Sequence, residues 1–306
     1  MLLRGSKGLS LALKIMGTSE QRIDLAYDEL GHGSAIIFLH GYPFNRSMWR
    51  EQSDFLSARD YRCIAPDLRG LGETSDKLQF VADAVGGEPQ RQADARRTIT
   101  TMEEMARDVA GLIDHLKISR AIIIGLSMGS YVALEFIHLF PARVQALVLA
   151  GARAQGADEA EKSSREQQAQ RILAEGMDFA VQSILKNLLA QKTFVDKRHV
   201  VARVREMILR TAPRGAAAAQ RGMALRRDYS ANLPEIDVPT LIIAGREDRV
   251  RKPEDAEFLQ HAISNSRLEI IENAGHLMNM EQPEIFNQTL WTFLERLPYE
   301  VSEARA

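Results

Sequence analysis

Short apolar runs separated by amphipathic stretches make up most of the chain. Residues 35–39, 61–65, 121–124, 144–149, 240–244 and 268–271 are runs rich in β-branched and other apolar side chains. Each is too short for a helix and reads as a strand; 35–39, 121–124 and 144–149 read as strands covered on both sides. Residues 23–27 alternate apolar and polar and predict an edge strand. Between the runs the period lengthens. Met48, Trp49, Phe55 and Leu56 mark one helical face, Met105, Val109, Leu112 and Ile113 a second, and Val132, Ala133, Phe136, Ile137 and Phe140 a third. Thr101 and Glu104 have capping-box spacing at the start of the second helix, and Pro141 stops the third. A closing helix is expected over 283–297, with Ile285, Phe286, Leu290, Phe293 and Leu294 facing inward.

Strand and helix in alternation predict an α/β fold, a mostly parallel sheet with helices on both faces. The pattern breaks between 152 and 233, where charged, alanine-rich helical stretches occur with no convincing strand. Met177, Phe179, Ile184, Leu185, Leu188 and Leu189 suggest one amphipathic helix there, and Val200, Val204, Met207 and Ile208 another. The expected organisation is therefore an N-terminal extension (1–22), a core made of 23–151 and 234–306, and a helical cap (152–233). The cap's apolar faces need a surface, and the carboxyl edge of the sheet offers one. Residues 75–99 are polar, with Gly86-Gly87-Glu88-Pro89 at their middle, and read as a long surface loop. The first twenty residues carry Arg4, Lys7 and Lys14 with no acid before Glu20, faintly like a targeting segment. Lys14 interrupts the apolar stretch, and a loose chain end is the expectation, with Met16 a candidate natural start.

Composition narrows the functional classes. The 306 residues are 45% apolar, enough for a large core. Thirty-nine Lys and Arg against 41 Asp and Glu leave a net charge of −2, so no basic excess points to nucleic acid. No apolar run approaches ~18 residues, so no membrane span is expected. The single cysteine, Cys63, lies in a strand-like run and reads as a buried thiol; no Cys/His cluster has metal-ligand spacing. The expectation is a cytoplasmic protein acting on a small molecule, with a homo-oligomer left open.

The chemistry concentrates at strand ends. The run 121–124 stops at Gly125-Leu126-Ser127-Met128-Gly129, and a helical pattern follows at once. This strand–turn–helix context makes the pentapeptide a nucleophile elbow, with Ser127 at its tip. A serine hydroxyl needs a base, and the base needs an acid to fix its tautomer. His276, after the last strand, and Asp248, after the 240–244 strand, fill those roles in the order Ser, Asp, His; Asp228 and Asp237 are rivals that precede the strand. The oxyanion of acyl transfer needs two backbone N–H donors, assigned to Met128, which follows the nucleophile, and Tyr42, in the loop after 35–39. The Tyr42 ring is a candidate pocket wall.

His40-Gly41-Tyr42-Pro43, Asp67-Leu68-Arg69-Gly70-Leu71-Gly72, the elbow, Gly245-Arg246-Glu247-Asp248 and Gly275-His276, in that order, resemble the α/β-hydrolase fold family, capped type, from about Ile23 to Leu297. Within it the chain is similar to carboxylesterases and 3-oxoadipate enol-lactonase-like hydrolases. The resemblance implies an acyl-enzyme mechanism on esters or lactones, with no metal and no organic cofactor. It leaves open carbon–carbon bond hydrolases, whose elbow is often Gly-Asn-Ser-Met-Gly, cofactor-free perhydrolases, hydroxynitrile lyases and small-ligand receptors with little turnover. Ser127 argues against epoxide hydrolases and haloalkane dehalogenases, which use a carboxylate nucleophile. Ser130 stands where many relatives have a further glycine. Leu126 and Met128 beside the nucleophile suggest an apolar approach and an uncharged acyl group. Met177, Phe179, Leu188, Leu189 and Trp49 are each candidates for pocket wall or plain core.

Overall fold

The computed structural model describes residues 25–74 and 98–297. The expectations for the first twenty residues and for 75–97 lie outside those residues. Seven strands form one sheet: β1 (Tyr27–Leu30), β2 (Ser34–Leu39), β3 (Tyr61–Pro66), β4 (Ala121–Leu126), β5 (Val144–Ala150), β6 (Thr240–Gly245) and β7 (Ser266–Ile271). Their spatial order is β1-β3-β2-β4-β5-β6-β7, with β1 antiparallel to β3 and every other pair parallel. β4 is central, every residue of it buried, and it lies where the order of strands reverses. Such a switch point is where an open parallel sheet leaves a crevice at its carboxyl edge.

The period of two along each strand splits the core between the two faces. Ile37, Leu39, Ile123, Leu147 and Leu149 pack on one side with α2 (Met102–His115) and α3 (Met128–Leu139). Ile36, Phe38, Ile122, Ile124 and Val148 pack on the other with Trp49, Phe286 and Leu290, from the segment entering α1 (Arg50–Ser57) and from the last helix. Trp49 is fully buried, its ring 5.1 Å from Phe38 and 6.1 Å from Phe286. It is core, not pocket. The Thr101/Glu104 capping box forms with both reciprocal bonds: Glu104 N–H donates to Thr101 Oγ1 at 3.1 Å, and Thr101 N–H to Glu104 Oε2 at 2.8 Å.

Between β5 and β6 the chain forms helices and no strand: α4 (Glu159–Glu175), α5 (Met177–Leu188), α6 (Gln191–Asp196), α7 (Arg198–Leu209) and α8 (Pro213–Ala224). α9 (Pro253–Ala262), α10 (Met278–Glu281) and α11 (Pro283–Leu294) complete the core. The inserted helices are stitched to the loops at the sheet's carboxyl edge. His276 N–H and Leu277 N–H donate to Leu188 O at 2.9 and 3.3 Å, and Thr211 Oγ1 donates to Pro43 O at 2.5 Å. Gly215 and Gly222 approach so closely that a Cβ would lie 1.6 Å from Gly70 O and 1.7 Å from Thr100 O.

Two sequence expectations need correction. The first strand is β1, Tyr27–Leu30, later than the predicted 23–27. Ala26 pairs instead with the loop after β3, accepting from Asp67 N–H at 2.8 Å and donating to Thr74 Oγ1 at 2.9 Å. Ile285 is half exposed, because α11 presents Phe286, Leu290, Phe293 and Leu294 inward and ends at Leu294. No helix among the described residues is long and apolar enough to cross a membrane.

Removing the Trp49 ring should leave a large hole between the sheet and α11. Trp49→Ala is expected to lower unfolding stability by about 3–5 kcal/mol. Denaturant titration followed by circular dichroism measures it; a loss well below ~1 kcal/mol would show that the ring is not a core element.

Candidate active site

Ser127 sits between β4 and α3 with φ +57°, a backbone conformation that a residue with a side chain rarely adopts. Its neighbours hold it there. Ser127 N–H donates to Ala150 O at 2.9 Å, and Ser130 N–H to Ser127 O at 2.9 Å. The two elbow glycines are required by close approach: a Cβ on Gly125 would lie 2.3 Å from Gly129 O, and one on Gly129 would lie 2.0 Å from Leu39 O. Ser130 is fully buried, and its hydroxyl lies 2.8 Å from Gly125 O and 3.0 Å from Ala150 O. Here a hydroxyl ties the ends of β4 and β5 together.

His276 and Asp248 meet at the neighbouring strand ends. His276 Nδ1 is 2.7 Å from Asp248 Oδ2, with both side chains buried. Asp248 Oδ1 accepts from the N–H groups of Val250 (2.7 Å) and Arg251 (2.8 Å), which fixes the carboxylate. A carboxylate at Nδ1 favours the tautomer protonated there and leaves Nε2 as the acceptor. His276 Nε2 is buried with no partner among the described residues. Ser127 and His276 line the same cavity without a hydrogen bond between them; catalytic contacts are commonly loose before substrate arrives. Asp228 and Asp237, the rival acids, lie elsewhere. Asp228 accepts from Ser230 N–H at 2.8 Å, and Asp237 lies exposed ahead of the first residue of β6, at the end of the strand away from the cavity.

Tyr42 and Met128 supply backbone N–H groups that donate to no acceptor among the described residues. The Met128 N–H is one of the donors that every helix start leaves free. The loop carrying Tyr42 is held by His40, whose Nε2 accepts from Leu68 N–H at 2.9 Å while Nδ1 donates to Gly41 O at 2.9 Å. Burial pushes the His40 pKa down, which keeps the ring neutral and preserves that acceptor. The phenol of Tyr42 lines the cavity, and burial pushes its pKa up.

The cavity encloses about 650 Å³. Its wall corrects the expectation of an apolar approach. Leu126 and Met128 are fully buried in the two core layers and do not line it. Four arginines do, Arg153, Arg165, Arg249 and Arg251, with two acids, Asp158 and Glu161. Burial would raise the Glu161 pKa, but Arg226 and Arg165 outweigh it and hold the carboxyl at about 2. Of the apolar candidates, Leu188 reaches the cavity. Met177 and Leu189 are buried in the core, and Phe179 stacks under Arg171 at 3.9 Å. A helix pattern identifies an apolar face but not what the face meets.

Sequence reading missed two further participants. Gly151, at the end of β5 with φ +52°, comes so close to the dyad that a Cβ would lie 3.0 Å from His276 Cε1. Its place just past a strand end was the available signal. Glu281 is buried; its Oε1 accepts from Gly275 N–H (2.8 Å), and its Oε2 accepts from Ala190 N–H (2.7 Å) and Thr193 Oγ1 (2.6 Å). It joins the His276 loop to the inserted helices. No sequence motif announces it.

A family model described as alpha/beta hydrolase fold matches residues 34–283. The chain is similar to a structurally characterised thermophilic esterase of Thermogutta terrifontis, solved with malate bound (35% identity, TM-score 0.80, covering 89% of this chain and 93% of that one). It is 28% identical to 3-oxoadipate enol-lactonase 2 of Acinetobacter baylyi, over 90% of this chain and 95% of the relative. It is also 28% identical to a protein of Mycobacterium tuberculosis H37Rv named as a non-heme bromoperoxidase, BpoC, over 89% and 97% respectively.

Gly151→Ala should press a methyl group on the His276 ring and add strain of about 1 kcal/mol from its left-handed backbone. Labelling of Ser127 by a fluorophosphonate is expected to slow by about tenfold or more, with the far-ultraviolet circular dichroism unchanged. Labelling at the wild-type rate would show that the ring tolerates the intrusion.

Proposed function

The chain belongs to the α/β-hydrolase fold family, and from that membership we propose that it is a serine hydrolase of carboxylic esters or lactones, with Ser127, His276 and Asp248 as its triad. The observation that carries the reading is the 2.7 Å contact between His276 Nδ1 and Asp248 Oδ2, beside an unpartnered Nε2 on the cavity that Ser127 lines. The esterase and enol-lactonase named among its relatives support the same reaction class.

In this reading Ser127 Oγ attacks the acyl carbon as its proton passes to His276 Nε2. Asp248 steadies the imidazolium through Nδ1. The carbonyl oxygen gathers charge against the N–H groups of Tyr42 and Met128, each worth roughly 2.7–4 kcal/mol at the transition state. The alcohol leaves with the proton from Nε2, and the acyl group stays on Ser127. A water then gives its proton to Nε2 and attacks the acyl carbon, and the proton passes from Nε2 to Ser127 Oγ as the acid is released; in a lactone the alcohol and acid are one product. The helices of 152–233 act as a cap that roofs the cavity. The core is 23–151 with 234–306, and 1–22 precede it as an extension.

A second reading rests on the peroxidase names among the relatives. The same acyl-enzyme attacked by hydrogen peroxide rather than water would release a peracid. Peracid formation in acetate and peroxide, compared with ester turnover, separates the two.

Ser127→Ala should lower kcat on short-chain p-nitrophenyl esters by at least about ten-thousandfold, and Asp248→Asn by about a hundredfold to ten-thousandfold. Mass spectrometry should find a single phosphonate adduct, on Ser127. Wild-type protein that cleaves no ester or lactone and takes no label at Ser127 would end the reading.

A further inference from the structure

Three guanidinium groups converge on one carboxylate at the cavity wall. Glu161 Oε1 accepts from Arg165 Nε (3.0 Å) and Nη2 (2.8 Å) and from Arg226 Nη1 (2.8 Å); its Oε2 accepts from Arg226 Nη2 (2.8 Å). Arg251 Nη2 lies 3.6 Å from the same Oε1. The side chains of Arg165, Arg226 and Arg251 are only 13%, 2% and 12% exposed. One carboxylate offsets one positive charge, so two remain where water is scarce.

Two further acids reduce that excess only in part. Asp158 caps α4, accepting from Glu161 N–H at 2.7 Å, and Asp255, whose charge also reaches Arg251, sits 3.8 Å from Arg153. Arg251 gives its remaining donors to uncharged oxygens. Its Nε (2.8 Å) and Nη2 both meet Tyr131 Oη, and Nη1 donates to Val250 O at 2.9 Å; Arg165 Nη1 likewise donates to an uncharged oxygen, Gln220 Oε1, at 2.8 Å. Arg249, exposed at the cavity, makes no hydrogen bond or ion pair among the described residues. The whole chain carries −2, so this positive wall is a local arrangement rather than a reflection of composition. Buried charge is costly without a counter-ion, and an anion admitted to the cavity would supply the one that these guanidiniums, held in place by shared or uncharged acceptors, lack.

We propose that the cavity receives a carboxylate of its substrate, so that the ester or lactone cleaved at Ser127 carries a second, free acid group held by Arg251 and Arg165, with Arg249 adding its charge. The assignment rests on the hydrolase reading for which bond is cut, but the anion site stands on the arginines alone. Their guanidiniums stay charged at any working pH, and Glu161 is the acid bound directly to them that competes with the ligand.

Monomethyl glutarate and methyl pentanoate have the same length and the same scissile bond and differ in the terminal carboxylate. Wild-type kcat/KM is expected to be about tenfold or more higher for the monoanion, and the advantage should shrink severalfold between about 20 and about 500 mM NaCl. Arg249→Gln and Arg251→Met, each checked for an unchanged melting temperature, should lower the ratio of monoanion to neutral turnover by about fivefold or more. Preference for the neutral ester at every length from succinate to adipate would overturn the proposal while leaving the hydrolase reading intact. Calorimetric titration with glutarate itself tests the anion site without turnover. Binding that weakens by about tenfold in Arg251→Met supports it even if no ester is cleaved. Absence of glutarate binding, or inorganic phosphate binding equally well, overturns it.

Discussion

The conformation of Ser127 is the constraint on which the surrounding structure depends. A φ of +57° on a residue with a Cβ costs free energy of order 1–3 kcal/mol and persists only where neighbours over-determine it. Here they do. The Ser127 N–H is fixed by Ala150 O, the Ser130 hydroxyl ties the ends of β4 and β5, and Gly129 lies against the carbonyl of Leu39 on β2. Three adjacent strands therefore meet at one peptide. Their registers, Leu39 opposite Gly125 and Leu126 opposite Ala150, follow from the same contacts. A side chain on either elbow glycine would separate the strand from the helix it launches.

The edge so formed is shared between the sheet and the inserted helices. Leu188 O accepts two N–H groups from the His276 loop, Glu281 grips that loop and the start of α6 together, and Thr211 donates to Pro43 beside Tyr42. Burial pushes the Glu281 pKa up while its donors pull it back. Its two oxygens meet donors on both segments. The His276 imidazole and the loop carrying Tyr42 are thus positioned partly by helices that contribute no candidate catalytic group. Movement of α5 against the core would be felt at His276 through Leu188.

The sheet was legible because fully covered strands have no polar side to display: the runs at 35–39, 121–124 and 144–149 differ from the observed strands by one or two residues at an end. The edge strand was misplaced because β1 has little burial to mark it, and Leu25 and Ala26 lend apolar character to a segment that pairs with a loop. Ile285 was misjudged for a related reason. It neighbours Phe286 in sequence but lies about 100° from it around the helix, outside the face that Phe286, Leu290, Phe293 and Leu294 share; its apolar character, not its angle, placed it inward. That Ser127, Asp248 and His276 would come to neighbouring strand ends was readable in the sequence, since chain order and sheet topology together decide which loops gather. Glu281, by contrast, acts through backbone groups, and backbone donors leave no trace in a sequence.

The lining of the cavity was the least legible feature, and its charge explains why. Arg165 comes from α4, Arg251 from the loop after β6, and Arg226 from the segment after α8. On a helix drawn alone, Arg165 is simply the partner of Glu161 four residues earlier, an ordinary surface pair worth a few tenths of a kcal/mol. Packing α4 against α8 brings Arg226 onto the same carboxylate and removes the water that would have screened it. An interaction that is weak and local in the helix becomes strong and shared in the fold, and its surplus charge then belongs to the cavity. Near-neutral composition says nothing about such a surplus, because electrostatic free energy depends on where charges lose their solvent and not on how many the chain contains.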